Sequence, residues 1–255
     1  MQKNIFNPES LIRDFKRNNI PFVIEKTLFT KKIISKYGTH RWNAKTELTF
    51  RDLLFIKKVK DYANQLNNIP KKIDRKKIYY VNRNTERIEK LNVLKRDLFE
   101  IDLTGAYWEL AFRFEYISET LYNEGLQVDK KVRLIALGNL AKRTAVLEYT
   151  GSEFLPIHYL KSEQTENIFF DVAQHTDDIM RRLAILAGDE YLFYWVDGIF
   201  IKGQKTVEII SEFLDSNEIK FKIVHLQVIK FIKNNLIKVQ HLKNEKEKKR
   251  IFNFS

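Results

Sequence analysis

The chain contains no cysteine, which excludes a disulfide framework, a thiolate zinc site and a cysteine nucleophile. Any catalytic metal must therefore be held by oxygen or histidine. Eight glycines and four prolines are too few and too scattered to form a long flexible linker, and no repeat with a period of about 20 to 50 residues is visible. Apolar runs are short and interrupted by charge, and Met1 to Ser10 lacks the apolar core of a signal peptide. The expectation is a soluble, cytoplasmic protein without a membrane partner. There is no Walker-type phosphate loop, no Gly-Xaa-Ser-Xaa-Gly elbow and no dinucleotide fingerprint. The five histidines are dispersed; His175, close to Asp177 and Asp178, lacks the one-face spacing of a metal-binding pair and reads as part of a surface polar patch.

What is present is a chain of 255 residues, 44% of them hydrophobic, enough for one domain or two small fused ones with a sizeable core. Lysine and arginine number 45 against 33 acids, a formal net charge of +12, so a polyanionic partner is expected. The bias toward Lys, Ile, Asn and Phe is that of an AT-rich genome such as a phage or other mobile element, in which case the compartment is the host cytoplasm.

Residues 1–96 read as an N-terminal, mainly helical, basic region. Pro8-Glu9-Ser10 opens one amphipathic stretch, and Thr49 to Leu66 carries apolar residues at helical spacing. Lys71 to Arg96 is dense in basic residues around an expected strand, Ile78-Tyr79-Tyr80-Val81. Aromatic residues inside a basic stretch suit a surface that tracks a phosphate backbone, which makes Lys76, Lys77 and Arg83 candidate nucleic-acid-binding residues; a solvated face beside a buried strand is the alternative.

From Leu98 the pattern becomes more regular. Leu98-Phe99-Glu100-Ile101-Asp102-Leu103 is an apolar strand with an acid at its exit, followed by an expected helix from Tyr107 to Glu124 and a second from Asp129 to about Leu147. The second helix has a basic face that includes Lys130, Lys131, Arg133, Lys142 and Arg143. A third runs from about Glu163 to Leu186. Tyr191 to Ile201 then reads as a hairpin turning at Asp197-Gly198. A helix to about Leu214, a strand from Phe221 to Val224 and a hairpin over Val228 to Gln240 with its turn at Asn234-Asn235 follow, and a basic, frayed tail occupies residues 243–255.

Two carboxylates at strand ends, Asp102 and Asp197, separated by helices, form the chemically informative constellation. An acid at a strand exit is commonly a helix cap, and Asp-Gly is the commonest hairpin turn; the order and the flanking residues add the information. Asp102-Leu103-Thr104-Gly105-Ala106-Tyr107 resembles the first palm motif of family B DNA polymerases, including the small protein-primed phage enzymes: Asp, two variable residues, Ser, Leu, Tyr. Gly105 stands in the Ser place and Trp108 replaces the usual Pro. Phe193 to Phe200 is similar to the third motif if Asp197 is its second, metal-binding aspartate; Trp195 then occupies the place of the first. The middle motif aligns with Arg133 on its Lys and Leu137-Gly138-Asn139-Leu140-Ala141 on the remainder.

The resemblance implies an α+β fold with a polymerase palm-like antiparallel sheet backed by helices, over residues 97–242, with reduced fingers centred on a helix at 129–150. It implies a minimal template-directed DNA polymerase that transfers dNTPs to a primer 3′-hydroxyl with two Mg²⁺ ions, Mn²⁺ being a possible substitute. In-line transfer at the α-phosphate uses ions about 3.5–4 Å apart, and hard Mg²⁺ takes one or two carboxylates plus substrate phosphates. Asp102 and Asp197 would be the shared ligands, with the Leu103 carbonyl joining them. Tyr107 would pack under the sugar, and Lys131, Arg133 and Lys142 would meet the triphosphate. Lys230 and Lys233 would stand in for a missing thumb, and a processivity or priming protein would be a partner beside primed DNA. A reverse-transcriptase-like palm, a non-catalytic palm retained for DNA binding or assembly, and a generic basic α+β nucleic-acid binder are the alternatives. The distance between Asp102 and Asp197 discriminates the last from the rest.

Overall fold

The computed structural model describes residues 7–27, 30–43, 47–71, 73–83, 93–160, 162–232, 236–243 and 246–253. In chain order the elements are α1 (Pro8–Arg17), β1 (Phe22–Lys26), β2 (Thr30–Ser35), β3 (Gly38–Asn43), α2 (Phe50–Gln65), β4 (Val81–Arg83), β5 (Val93–Leu94) and β6 (Leu98–Leu103). They continue with α3 (Ala106–Arg113), α4 (Glu119–Leu126), α5 (Lys130–Leu140), β7 (Thr144–Thr150), β8 (Glu153–Phe154), β9 (His158–Leu160) and α6 (Glu163–Ala187). The last are β10 (Tyr191–Trp195), β11 (Gly198–Lys202), α7 (Gln204–Ser216), β12 (Phe221–Leu226), β13 (Val228–Ile232), β14 (Leu236–Lys243) and β15 (Lys246–Asn253). The protein is thus mixed α+β, and its strand pairs are antiparallel. No helix among the described residues is long and apolar enough to cross a membrane.

Two compact units share the chain, one built from residues 1–70 and 123–169, the other from 71–122 and 170–255. In the first, α1 is capped by the Asn7 side chain, which accepts from the amides of Glu9 and Ser10, with Pro8 at the start where its missing N–H costs nothing. The sheet runs β3-β2-β1-β7-β8, with β9 also paired to β7. Phe15, Phe22, Ile24 and Ile33 form its core, and the ring of Phe22 stacks on Tyr149 at 4.6 Å. Helix α2 starts with a reciprocal capping box between Thr49 and Asp52 and packs on α5.

Two segments of this unit depart from the helical reading. Residues 22–26, 30–35 and 38–43 form β1 to β3 rather than helix: Phe22 and Ile24 are buried at period two, and Gly38, at φ 119°, closes the β2–β3 turn. The helix expected from Asp129 to Leu147 ends at Leu140. Thr144-Ala145-Val146-Leu147-Glu148-Tyr149-Thr150 instead pairs with β1, because its β-branched and aromatic side chains fit a pleated surface once a partner strand is present.

In the second unit β6, β10, β11 and β12, with the intervening helices, make a βαββαβ arrangement, and β4 extends the sheet to the order β12-β6-β11-β10-β4. Alternate residues of β6 serve opposite faces. Phe99, Ile101 and Leu103 join Ile199 and Ile201 of β11 against Met180 and Leu183 of α6 and Ile210 and Leu214 of α7. Leu98 instead joins Phe193, Phe200, Ile229, Ile237 and Phe252, several of them from a second sheet ordered β15-β14-β13-β5. The stretch expected as one helix from Tyr107 to Glu124 is two, α3 and α4, separated at Glu115, whose φ is 59°. The tail expected to fray is β15: it pairs along its length with β14 and buries Phe252. The turn expected at Asn234-Asn235 lies outside the described residues.

Candidate active site: a strand carboxylate and a hairpin-turn carboxylate

Asp102 is the penultimate residue of β6, and its side chain is 28% exposed at the end of an otherwise buried strand. Gly105 follows at φ 66° and starts α3, a left-handed position where a residue with a Cβ is strained. This local requirement favours glycine at position 105. Tyr107, in the first turn of α3, packs at the edge of the helix-side core. Its phenol is raised well above the usual tyrosine range, chiefly by burial and then by Tyr80, Asp197 and Asp177.

The hairpin turns one residue earlier than the Asp197-Gly198 expectation. Trp195 is paired with Gly198, so Val196 and Asp197 are the two turn residues and Gly198 opens β11. Val196 has a φ of 56°, which is costly for a β-branched side chain and is held in place from both sides. Its amide donates to the Tyr80 carbonyl at 2.6 Å, and the carbonyl of Asp197 accepts from the Leu103 amide at 2.8 Å.

Register then places Asp102 directly opposite Gly198, beside Asp197. One cross-strand row runs through Val81, Trp195, Gly198, Asp102 and Lys222, and the Lys222 ammonium lies 3.9 Å from the Asp102 carboxylate. A Cβ built on Gly198 would meet Glu100 Oε1 at 3.5 Å and Asp102 Oδ1 at 3.8 Å. Gly198 therefore leaves the carboxylates uncovered without being sterically obligatory. Glu100, 5% exposed, is ion-paired with Arg250 of β15, whose guanidinium also lies over the rings of Phe200 and Phe252.

Sequence reasoning missed Asp177. Read as part of a surface patch, it is 3% exposed and accepts from the Tyr194 hydroxyl at 2.8 Å, the Tyr79 amide at 3.0 Å and the Arg181 guanidinium at 2.7 Å. Arg181 in turn donates to the Lys77 carbonyl at 2.6 Å, and the Tyr194 hydroxyl lies 3.1 Å from the Tyr79 carbonyl. Helix α6 thereby fixes the 77–80 segment, and Tyr80 fixes the turn that carries Asp197. The available signal was the i, i+4 spacing of Asp177 and Arg181 on one helix. His175 is instead 3.7 Å from Asp171, with its ring 4.3 Å from that of Phe114.

The remaining candidates are spread out. Asp102, Leu103, Tyr107 and Asp197 belong to the second unit, whereas Lys131, Arg133 and Lys142 belong to the first. There Lys131 pairs with Glu47 at 3.1 Å, Arg133 donates to the Gly125 carbonyl at 2.8 Å and Lys142 is exposed. Lys76 and Lys77 are exposed in a short 3₁₀ turn, Arg83 is on the edge strand β4 opposite Phe193, and Lys230 is exposed on β13. Lys233 lies outside the described residues. No protein-family model matches the chain, and comparison with curated proteins finds no match.

Proposed function

We propose that the second unit is the palm of a minimal template-directed DNA polymerase that adds dNTPs to a primer 3′-hydroxyl. The observation that carries this reading is the pairing of Asp102 with Gly198, the residue after Asp197, which brings the strand that carries Asp102 against the hairpin turn that carries Asp197. Asp102 and Asp197 would hold Mg²⁺, or Mn²⁺ in its place, with the Leu103 carbonyl as a third donor; when bound, such ions stabilise the charge that develops in phosphoryl transfer. The donor set suits a hard cation, and no cluster of three or more His, Asp or Glu side chains able to hold a metal occurs among the described residues. Substrate phosphates and water would complete the coordination, as is usual for Mg²⁺.

The residues around the pair have definable tasks. Tyr107 stays a neutral phenol at any physiological pH and offers its ring to the sugar of an incoming nucleotide. Lys222 balances the Asp102 charge and is exposed enough to turn to a phosphate. The Val196–Tyr80 and Asp197–Leu103 hydrogen bonds hold the turn against β6, so that positioning is paid for in the fold rather than at the moment of reaction.

The observed turn also favours a second reading. With Asp197 inside the turn and Gly198 after it, the hairpin suits a reverse-transcriptase-like palm in which Asp197 is the first of the paired aspartates and Gly198 stands in the place of the second. Primer extension on DNA and RNA templates, with Mg²⁺ or Mn²⁺, tests both. Metal-dependent extension is expected, falling at least about 100-fold in Asp102→Asn and in Asp197→Asn. Extension confined to RNA templates selects the second reading. No extension, with DNA binding unchanged in both variants, overturns the enzyme in favour of a non-catalytic palm.

A further inference from the structure

Tyr79 and Tyr80 are 54% and 37% exposed, a large aromatic surface to leave in water, yet hydrogen bonds from other elements fix the backbone that carries them. The Tyr79 amide is bound by the buried Asp177 carboxylate and the Tyr80 carbonyl by the Val196 amide, while the Tyr194 hydroxyl, which donates to Asp177, lies 3.1 Å from the Tyr79 carbonyl. Before them, the Asp74 side chain caps the turn that presents Lys76 and Lys77. On one side the Arg181 guanidinium lies over the Tyr79 ring at 4.6 Å. Exposed rings on a pinned backbone, preceded by two exposed ammonium groups and one residue-to-residue hydrogen bond away from the Val196–Asp197 turn, form a built surface rather than a loose loop.

We propose that Tyr79 and Tyr80 are a stacking platform for unpaired bases of a nucleic-acid strand, with Lys76 and Lys77 holding its phosphates. Aromatic side chains stack any base through its π-face, and basic groups beside them neutralise the backbone. Bases in a duplex already stack on one another, so the platform takes single-stranded segments. Asp177 acts here as a positioning residue: it touches no ligand but fixes the backbone from which both rings project. The platform deepens the polymerase reading by assigning the strand next to the carboxylate turn, and it is tested without catalysis.

The test is fluorescence anisotropy of a labelled oligothymidylate with the full chain, in the absence of metal and dNTPs and over a range of salt. Tyr79→Leu and Tyr80→Leu are expected to weaken binding at least about 5-fold each, whereas Tyr79→Phe and Tyr80→Phe, which keep the rings, bind as wild type. Lys76→Ala combined with Lys77→Ala is expected to flatten the slope of log affinity against log salt by about 1.4. Thermal melts of the Phe variants and the lysine variant should coincide with wild type, and the Leu variants, which lose ring contacts such as that of Arg181 on Tyr79, should still melt cooperatively well above the assay temperature. Wild-type affinity in the double Leu variant, or no binding by the wild type, overturns the platform. Ring-dependent binding by a chain that does not extend primers keeps the platform and removes only the polymerase reading.

Discussion

The amide of Leu103 donates to the carbonyl of Asp197 at 2.8 Å, joining the exit of β6 to the tip of the β10–β11 hairpin. This bond joins the backbones that carry two acids 95 positions apart in the sequence. Neither acid depends on a long flexible loop: Asp102 is the penultimate residue of a strand whose other residues are buried, and Asp197 sits in a two-residue turn tied to Tyr80 as well as to Leu103.

Two glycines near the site should respond oppositely to the same substitution. Gly105 is at φ 66°, so Gly105→Ala should cost about 1–2 kcal/mol of stability. Gly198 is outside the left-handed region and its added Cβ would make only ordinary contacts, so Gly198→Ala should be neutral or stabilising by about 0.4–1 kcal/mol. Urea denaturation of both variants checks the contrast; a costly Gly198→Ala would mean that the β6–β11 register is wrong.

Val196 stores strain at the turn. Replacing it with glycine relieves a left-handed β-branched residue, a conformation that costs on the order of 1–3 kcal/mol, against a smaller loss from glycine's unfolded-state entropy. Val196→Gly should therefore leave the protein at least as stable in a thermal melt while lowering any activity that needs Asp197 held still. A variant that loses both stability and activity would show that the valine side chain contributes packing that outweighs its backbone strain.

Asp177 is the structural anchor of the 77–80 segment. Asp177→Ala leaves the Tyr79 amide without its acceptor and the Arg181 guanidinium without its carboxylate, and the expected loss is about 2–3 kcal/mol. Hydrogen exchange should localise the effect, with the Val196 amide exchanging faster than amides of β6. Uniform loss of protection across the second unit would place Asp177 in the global core instead.

Stability should fall above the ordinary tyrosine range. The phenols of Tyr107, Tyr191 and Tyr194 are raised from the ordinary value of 10.0, first by burial in each case; for Tyr194 the Asp177 hydrogen bond adds to this and for Tyr191 the neighbouring Tyr194 does. Above pH 10 the unfolded chain releases protons that the folded chain retains, so unfolding becomes more favourable as pH rises. Below pH 10 the contribution is complete and constant. Urea midpoints between pH 8 and about 11 should show this fall, and Tyr107→Phe should make it shallower; a slope that Tyr107→Phe leaves unchanged would contradict the shift.

Local sequence sufficed for much of the second unit. The run Leu98 to Leu103, the hairpin from Tyr191 to Ile201, and the helices over Glu163–Ala187 and Gln204–Ser216 are legible because each has one strong period and clear end signals. Both carboxylates were legible for the same reason, each being the polar residue at the edge of an apolar run. The strands within 22–43 were not, because short strands rich in charged residues show little periodicity; nor was 144–150, whose mixed apolar pattern continues the preceding helix until β1 supplies a partner.

Composition and pattern by themselves determined that this is a basic, cysteine-free α+β chain with acids at two strand ends. Only the tertiary structure decided that those strands are neighbours and in a register that sets Asp102 opposite Gly198. It alone moved the hairpin turn to Val196–Asp197, buried Asp177 beneath the 77–80 segment and turned the basic tail into β15. Each of these depends on hydrogen bonds or burial between residues far apart in the chain. Such contacts leave no local period to read: a buried aspartate and a solvated one look alike in sequence until their donors are brought to them.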